Sequence, residues 1–347
     1  MTISSPLFYS DDVECIPVEE EEDIQRVLVL IRQALRQSQE SSGQFQRDVH
    51  VKAHGCARGE FRVIEHLPPE LSQGLFAEPR TYPAFVRFSN ASPVPLPDVL
   101  PDGRGLAIQV HDLSGEFLPN AGASASTQDF IMVNHSAFIA SNVKDYLRLQ
   151  AARLETKSHP ITGPIAAVTN HTWNPLEWKW SEMGHAAQVA LQLPKHPADY
   201  TYYSMAPIRF GKYIAKYRVT PDPRNQTASL GQTLISAASE RDALRELLEK
   251  TLESRELVFE FQVQLCTDKQ TMPIEDATVE WSEQESPYQT VAVLTLPAQD
   301  IRALRDEGER RCFSVWNALS QHRPLGGINR VRRLAYAASA AWRAPTT

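Results

Sequence analysis

The sequence predicts an α+β fold built on a closed antiparallel sheet. Three observations carry that prediction: short alternating apolar runs in several separated blocks, helical periodicity confined to the stretches between and after them, and no βαβ rhythm. In chain order, Ile24, Val27, Leu28, Ile31 and Leu35 recur at helical spacing behind the acidic run Glu19 to Asp23, which predicts one amphipathic helix over about 20–37. FVRFS (85–89) and GLAIQVH (105–111) read as strands, separated by the turn-rich PLPDVLPDGRG. Residues 142–154 read as a helix, and 158–205, rich in Pro, His and Trp with little period, as a long segment wrapped over a core. MAPIRFGKYIAKYRV offers two strands around Gly211-Lys212. Ser239 and Asp242 resemble a capping box before a helix carrying Leu244, Leu247, Leu248 and Leu252. Leu257, Phe259, Phe261, Val263 and Leu265 alternate as a half-buried strand, QTVAVLTL (289–296) supplies another, and helices are expected near 300–320 and 328–343.

At 347 residues the chain is long enough to bury a substantial core, and 42% hydrophobic with 22% charged residues is an ordinary globular composition. We divide it into an N-terminal arm and helix (1–40) and one domain (41–347). No run approaches the length of a membrane span and no basic start precedes an apolar stretch, so a soluble, unexported, cytoplasmic protein is expected. The four cysteines lie far apart with no CxxC pair, which argues against a zinc cluster or dithiol motif. A net charge of −7 argues against general nucleic-acid binding, although no acid follows residue 320 while five arginines do. That basic end requires an anionic partner or an exposed face; the acidic run reads as a solvated helix start. No GxGxxG or GxxxxGK[ST] follows a strand.

In NRVRRLAYAASAAWR, Arg332, Tyr336, Ser339 and Arg343 fall within a sector of roughly 60° on a helix of about 100° per residue. A tyrosine phenolate can ligate ferric iron, a guanidinium one turn earlier stabilises it, and an arginine further along can grip a carboxylate. The same spacing also fits a surface helix with one packed tyrosine. RDVHVKAHGCARGEF concentrates Arg47, His50, Lys52 and His54 without the acid that a zinc peptidase motif needs. Read as a strand, it places His50 and Lys52 on one face and Arg47 on the other unless a bulge intervenes. In FVRFS, Phe85, Arg87 and Ser89 share a face, where a buried arginine requires an anion and a buried serine a partner such as an imidazole. A lone histidine is equally read as a satisfied core or surface residue.

Together these pieces resemble the catalase family, in particular its short haem-binding members, over about residues 45–140 and 205–343. Arg47-x-Val49-His50-x-Lys52 with Gly59-x-Phe61 is similar to the stretch around that family's distal histidine. Val86-Arg87-Phe88-Ser89 resembles its V-R-F-S strand, Asp102-Gly103-Arg104-Gly105 its D-P-R-G turn, and Arg332-x-x-x-Tyr336 with Arg343 its proximal helix. The resemblance implies a barrel of about eight strands with haem b between barrel and C-terminal helix. Tyr336 is then the iron ligand and Arg332 its hydrogen-bond partner, and Arg47, Arg87 and Arg343 hold the propionates. His50 is the distal acid/base, oriented by Ser89, with Val49, Phe130 and Phe138 lining the pocket. The implied activity is that of a catalase or peroxidase acting on hydrogen peroxide or organic hydroperoxides, possible as a homo-oligomer; the alternatives are fatty acid hydroperoxide rearrangement and haem binding without turnover. Two departures bear on this. Where the family has an asparagine before Thr-Pro, this chain reads Ala125-Ser126-Thr127-Gln128, with Asn120 and Asn134 only nearby. The sequence also stops soon after Arg343, so the larger members' nicotinamide site and long-arm tetramer are not expected.

Overall fold

The computed structural model describes residues 5–119, 126–156, 194–225 and 241–344, with a few single residues between 157 and 193. Among these residues nine strands form one antiparallel sheet: β1 (Ala53–Val63), β2 (Thr81–Asn90), β3 (Arg104–Val110), β4 (Gln128–Val133), β5 (Tyr202–Tyr203), β6 (Ile208–Phe210), β7 (Tyr213–Pro221), β8 (Leu257–Leu265) and β9 (Gln289–Leu296). Eight of them, β1-β2-β3-β4-β5-β7-β8-β9, close into a barrel because β9 pairs with β1 and β5 pairs with both β4 and β7. β6 is a hairpin arm on β7, turned at Gly211-Lys212, where Gly211 takes φ +60° as the first central residue of a tight hairpin requires.

The alternation read in the sequence is the inside–outside alternation of this barrel. Phe61, Val86, Phe88, Leu106, Ile108, Phe130, Phe259 and Phe261 point inward into one core. Phe130 and Phe261 meet at 4.7 Å between ring centroids and Phe61 stands edge-on to Phe261 at 5.3 Å. Each such ring contributes about 1.5–3 kcal/mol by leaving water, so this aromatic plug holds the strands in register.

Among the described residues five helices lie around the barrel: α1 (Glu20–Ser42), α2 (Val143–Glu155), α3 (Ala243–Ser254), the short α4 (Arg305–Arg310) and α5 (Gly327–Arg343). Ile24, Val27, Ile31 and Leu35 of α1 pack with Val143 of α2 and with Val331 and Ala335 of α5. Asn142 caps α2, accepting from the Asp145 amide at 3.1 Å. The capping expectation for α3 partly fails. Ser239 lies outside the described residues, Asp242 stands at the cap position without a side-chain cap bond, and the Leu244 amide donates instead to the buried Asp98 carboxylate at 2.9 Å. A carboxylate distant in sequence thus satisfies a helix-end donor that local residues leave open. Most of the segment expected to wrap the core (158–205) also lies outside the described residues.

Two further expectations are corrected. Residues 300–320 do not form one helix: after α4 the chain is irregular, with a turn at 314–317, because barrel groups take its backbone donors and acceptors. Ser314 donates to the Asp129 carboxylate at 2.8 Å, and Asn317 and Ala318 carbonyls accept from Asp129 and Leu118. The acidic run is not wholly solvated either. Glu20 is buried against Arg330, whose guanidinium also meets Glu14 and Glu275 at 2.5 and 2.8 Å, and Glu14 reaches Arg323 at 2.6 Å. The charge asymmetry of the two chain ends is therefore settled in part within the molecule, acid against base. Among the described residues no helix is long and apolar enough to cross a membrane, and no disulfide forms.

Candidate active site

The outer face of β1–β4 is where the singled-out residues converge. Register places Cys56, Arg87, Ala107 and Ile131 in one row across the four strands, with Ser89, Gly105 and Val133 in the next. Their neighbours along each strand fill the barrel interior, so strand alternation alone turns Arg87 and Ser89 outward.

His50 reaches this face from the coil before β1 and not from a strand, which corrects the reading that paired it with Lys52. It holds φ +57°, rare for a residue with a side chain, and the β1–β2 register shifts just beyond it between Ala53 and Gly55. Its Nδ1 lies 3.1 Å from Ser89 Oγ, and Arg87 donates to its carbonyl at 3.0 Å. Lys52 turns elsewhere, pairing with buried Asp98 at 2.7 Å and with Asp242 at 3.1 Å. Gly105 lies directly beneath the imidazole: a Cβ there would stand 2.5 Å from His50 Nδ1 and 2.8 Å from Ser89 Oγ. Burial first, and then the Arg87 guanidinium, push the His50 imidazole down to about 3. It is therefore uncharged at neutral pH.

Helix α5 brings the second group to the same face. Arg332 donates to the Tyr336 hydroxyl at 3.1 Å and to Asn329 Oδ1 at 3.1 Å. Tyr336 packs against the cluster of Leu118, Ile131, Val315 and Trp316, against which Ala107 of β3 also packs. Burial works against the charge on Arg332, but Tyr336 and further tyrosines outweigh it and raise its pKa, so the guanidinium stays charged beside the phenol. Between Arg332 and the barrel lies a small cavity of about 10 Å³, lined in part by Gln128, Phe130, Tyr217 and Asn329. Ser339, one turn beyond Tyr336, accepts from the Asp48 amide at 3.1 Å, and Arg153 of α2 holds the Asp48 carboxylate and carbonyl at 2.7 Å each. That strut ties the His50 segment to the tyrosine helix.

Three arginines meet at the third corner. Arg47 donates to the carbonyls of Gly308, Glu309 and Arg311 at 2.8–3.1 Å. Arg343 donates to the Glu309 carbonyl at 2.8 Å and faces Cys312 Sγ at 3.3 Å, and Arg87 stands 3.6 Å from the Glu309 carboxylate. Burial, then repulsion from Arg87 and Arg343, pulls Arg47 down to about 9. The Nε atoms of Arg47, Arg87 and Arg343 are each buried without a hydrogen-bond partner. Such groups require an acceptor.

Of the other expected pocket residues, Val49 is half-buried next to His50. Phe130 is turned into the barrel core, and Phe138 packs on Tyr146 near Ala140 and Ile328. Sequence reasoning missed Glu309 and the carbonyls of 308–311, which carry no motif, and Asp48 and Arg153, whose pairing spans more than a hundred positions. It also missed Asp129, whose carboxyl accepts from Ser314, Gln109 and Asn317 and is pushed up to about 7 by burial. Asp129 lies on a strand the sequence reading did not identify.

No protein-family model matches the sequence, and no curated protein matches it. Solved structures do. A fungal catalase superposes with a TM-score of 0.65 at 14% identity, covering 88% of this chain and 61% of that one. Catalase A from Saccharomyces cerevisiae gives 0.66 at 13% over 99% of this chain and 68% of its own, and a bacterial catalase 0.64 at 15% over 96% and 64%. The chain thus spans about two thirds of the length of these structures. With its closed eight-stranded antiparallel barrel and flanking helices, it has the catalase fold.

Proposed function

We propose that this protein is a haem-dependent oxidoreductase acting on hydrogen peroxide or organic hydroperoxides, with Tyr336 as the iron's protein ligand. One observation carries the reading. Three guanidinium groups gather with buried, unpaired Nε atoms at one corner of a sheet face that also receives a neutral His–Ser pair and an Arg–Tyr pair. Arg47, Arg87 and Arg343 would hold the propionates of a haem with those Nε atoms, and Tyr336, its phenol oxygen polarised by Arg332, would be the anionic ligand to its ferric iron. Bound there, haem provides the electrons for cleaving an O–O bond.

The protein's own share is proton handling and placement. His50, kept neutral by burial and by Arg87, takes the hydroperoxide proton on the ring nitrogen not turned to Ser89. It returns that proton to the departing oxygen, which leaves as water or an alcohol. Ser89 holds the ring's angle, the Arg87 bond to the His50 carbonyl holds its unusual backbone, and the Ser339–Asp48–Arg153 strut keeps it in register with Tyr336.

The absence of the asparagine of the resemblance from Ala125-Ser126-Thr127-Gln128 favours a second reading, rearrangement of fatty acid hydroperoxides; Val49, where a hydroxyl residue precedes the histidine in that branch, opposes it. The test is an absorption spectrum of purified protein before and after peroxide. His50→Ala is expected to keep the Soret band and lose its response to peroxide, and Tyr336→Phe to shift the band. A haem-free protein that takes up none, or an unaltered Tyr336→Phe spectrum, rejects the proposal. Turnover of lipid hydroperoxide alone selects the second reading.

A further inference from the structure

We infer that the Glu309 carboxylate is an internal competitor for the three-arginine corner, offsetting part of its charge in the ligand-free protein and weakening its grip on a dianion, which on the haem reading above is the propionate pair. The carboxylate sits 3.8 Å from Arg47 Nε and 3.6 Å from Arg87 Nη2. Those separations are longer than good hydrogen bonds, so attraction between the charges is the main hold on it. The backbone carbonyls of Gly308, Glu309 and Arg311 are a different kind of partner, fixed at 2.8–3.1 Å from Arg47. Glu309 is also the least enclosed member of the group, with 54% of its side chain exposed against 10% for Arg47 and 5% for Arg87. It lies in the last turn of α4, the helix end where a negative charge is least favourable. The arginines and not the helix therefore account for its position, and it can withdraw to solvent at little cost.

The need it meets is visible on its partners. Arg47, Arg87 and Arg343 repel one another in a buried setting, and Glu309 is the group that offsets this for Arg47 and Arg87. It does so incompletely, since all three Nε atoms remain without a hydrogen-bond partner. An arriving pair of carboxylates meets those atoms but must share the corner with a third negative charge.

Glu309→Gln keeps the side chain's size and removes the charge. With zinc protoporphyrin IX added to the purified protein and followed by fluorescence, the variant is expected to bind about five- to tenfold more tightly than wild type at low salt. The gain should shrink toward unity in about 0.5 M salt as screening takes over. The porphyrin dimethyl ester, which carries no carboxylates, should bind both proteins alike. Equal or weaker binding of the dianion by Glu309→Gln, or an equal gain for the ester, overturns the inference. A second measurement decides the role without porphyrin: the unliganded variant should melt about 2 °C lower than wild type and be restored by phosphate. Identical melting with and without phosphate overturns it. Failure of wild type to bind either porphyrin strikes instead at the haem reading, and the melting comparison still stands.

Discussion

Replacing Gly105 with alanine is the most local perturbation of the His50 assembly that the structure offers. The added methyl would lie 2.5 Å from His50 Nδ1, 2.7 Å from its Cε1 and 2.8 Å from Ser89 Oγ. Atoms in ordinary contact stand about 3.5–4 Å apart, so the imidazole must retreat by roughly 1 Å. β2 and β3 are paired on both sides of this point, with Ser89 opposite Gly105, and cannot part to absorb the shift. Retreat lengthens the 3.1 Å contact with Ser89, a loss of about 1 kcal/mol, within a total overpacking cost of about 1–3 kcal/mol. On the haem reading proposed above, the effect on proton transfer by His50 is larger, because a misplacement of about 1 Å costs on the order of a hundredfold in rate. Urea unfolding measures the first, and stopped-flow reaction of the haem-loaded protein with peroxide the second. Gly59→Ala is the control, since its Cβ would meet Leu296 and the Thr295 carbonyl at 2.6 Å on the far side of the strand pair; it should lose stability without loss of peroxide rate per bound haem. A Gly105→Ala protein with wild-type stability and rate would refute the placement of His50 against this strand.

Lys52→Met should destabilise by about 3–5 kcal/mol, because it leaves Asp98, fully buried, without its cation; a second change, Asp98→Asn, should recover part of the loss in urea unfolding, and no recovery would show that the pair is not coupled. Acid sensitivity follows from groups with opposite signs. His50, His322 and His196, held down to about 3, 3 and 4 by burial, and His54, held well below its usual range by burial and Arg104, are neutral when folded and take up protons on unfolding below about pH 6.5. Asp129 and Asp102, raised by burial to about 7 and 6, keep protons when folded and release them on unfolding above about pH 4. Near pH 5 these groups give a net uptake of about two protons, so stability should fall by roughly 2.7 kcal/mol for each pH unit downward. Asp129→Asn should steepen that slope toward three protons; a slope near zero in wild type would contradict the buried, neutral histidines.

Local patterning was enough to read most of the architecture. Period-two alternation in 85–89, 257–265 and 289–296 marks barrel strands because a strand between a packed interior and an outer layer must place apolar groups on every second residue. The 3.6-residue period of α1 and α5 likewise records which face each helix buries. The spacing of Arg332, Tyr336 and Ser339 was legible for the same reason, being a property of one helix. What chain order could not encode is meeting across distance. His50 joins Ser89 and Gly105 only because a coil with positive φ delivers it to the β2–β3 face. Arg47, Arg87 and Arg343 share one corner only because barrel closure and the irregular stretch after α4 bring three remote segments together. There Glu309, silent in any motif, becomes the counter-charge to two of them. Periodicity reports how a segment meets the core; the electrostatics of a site depend on distances between segments, and those exist only once the chain has folded.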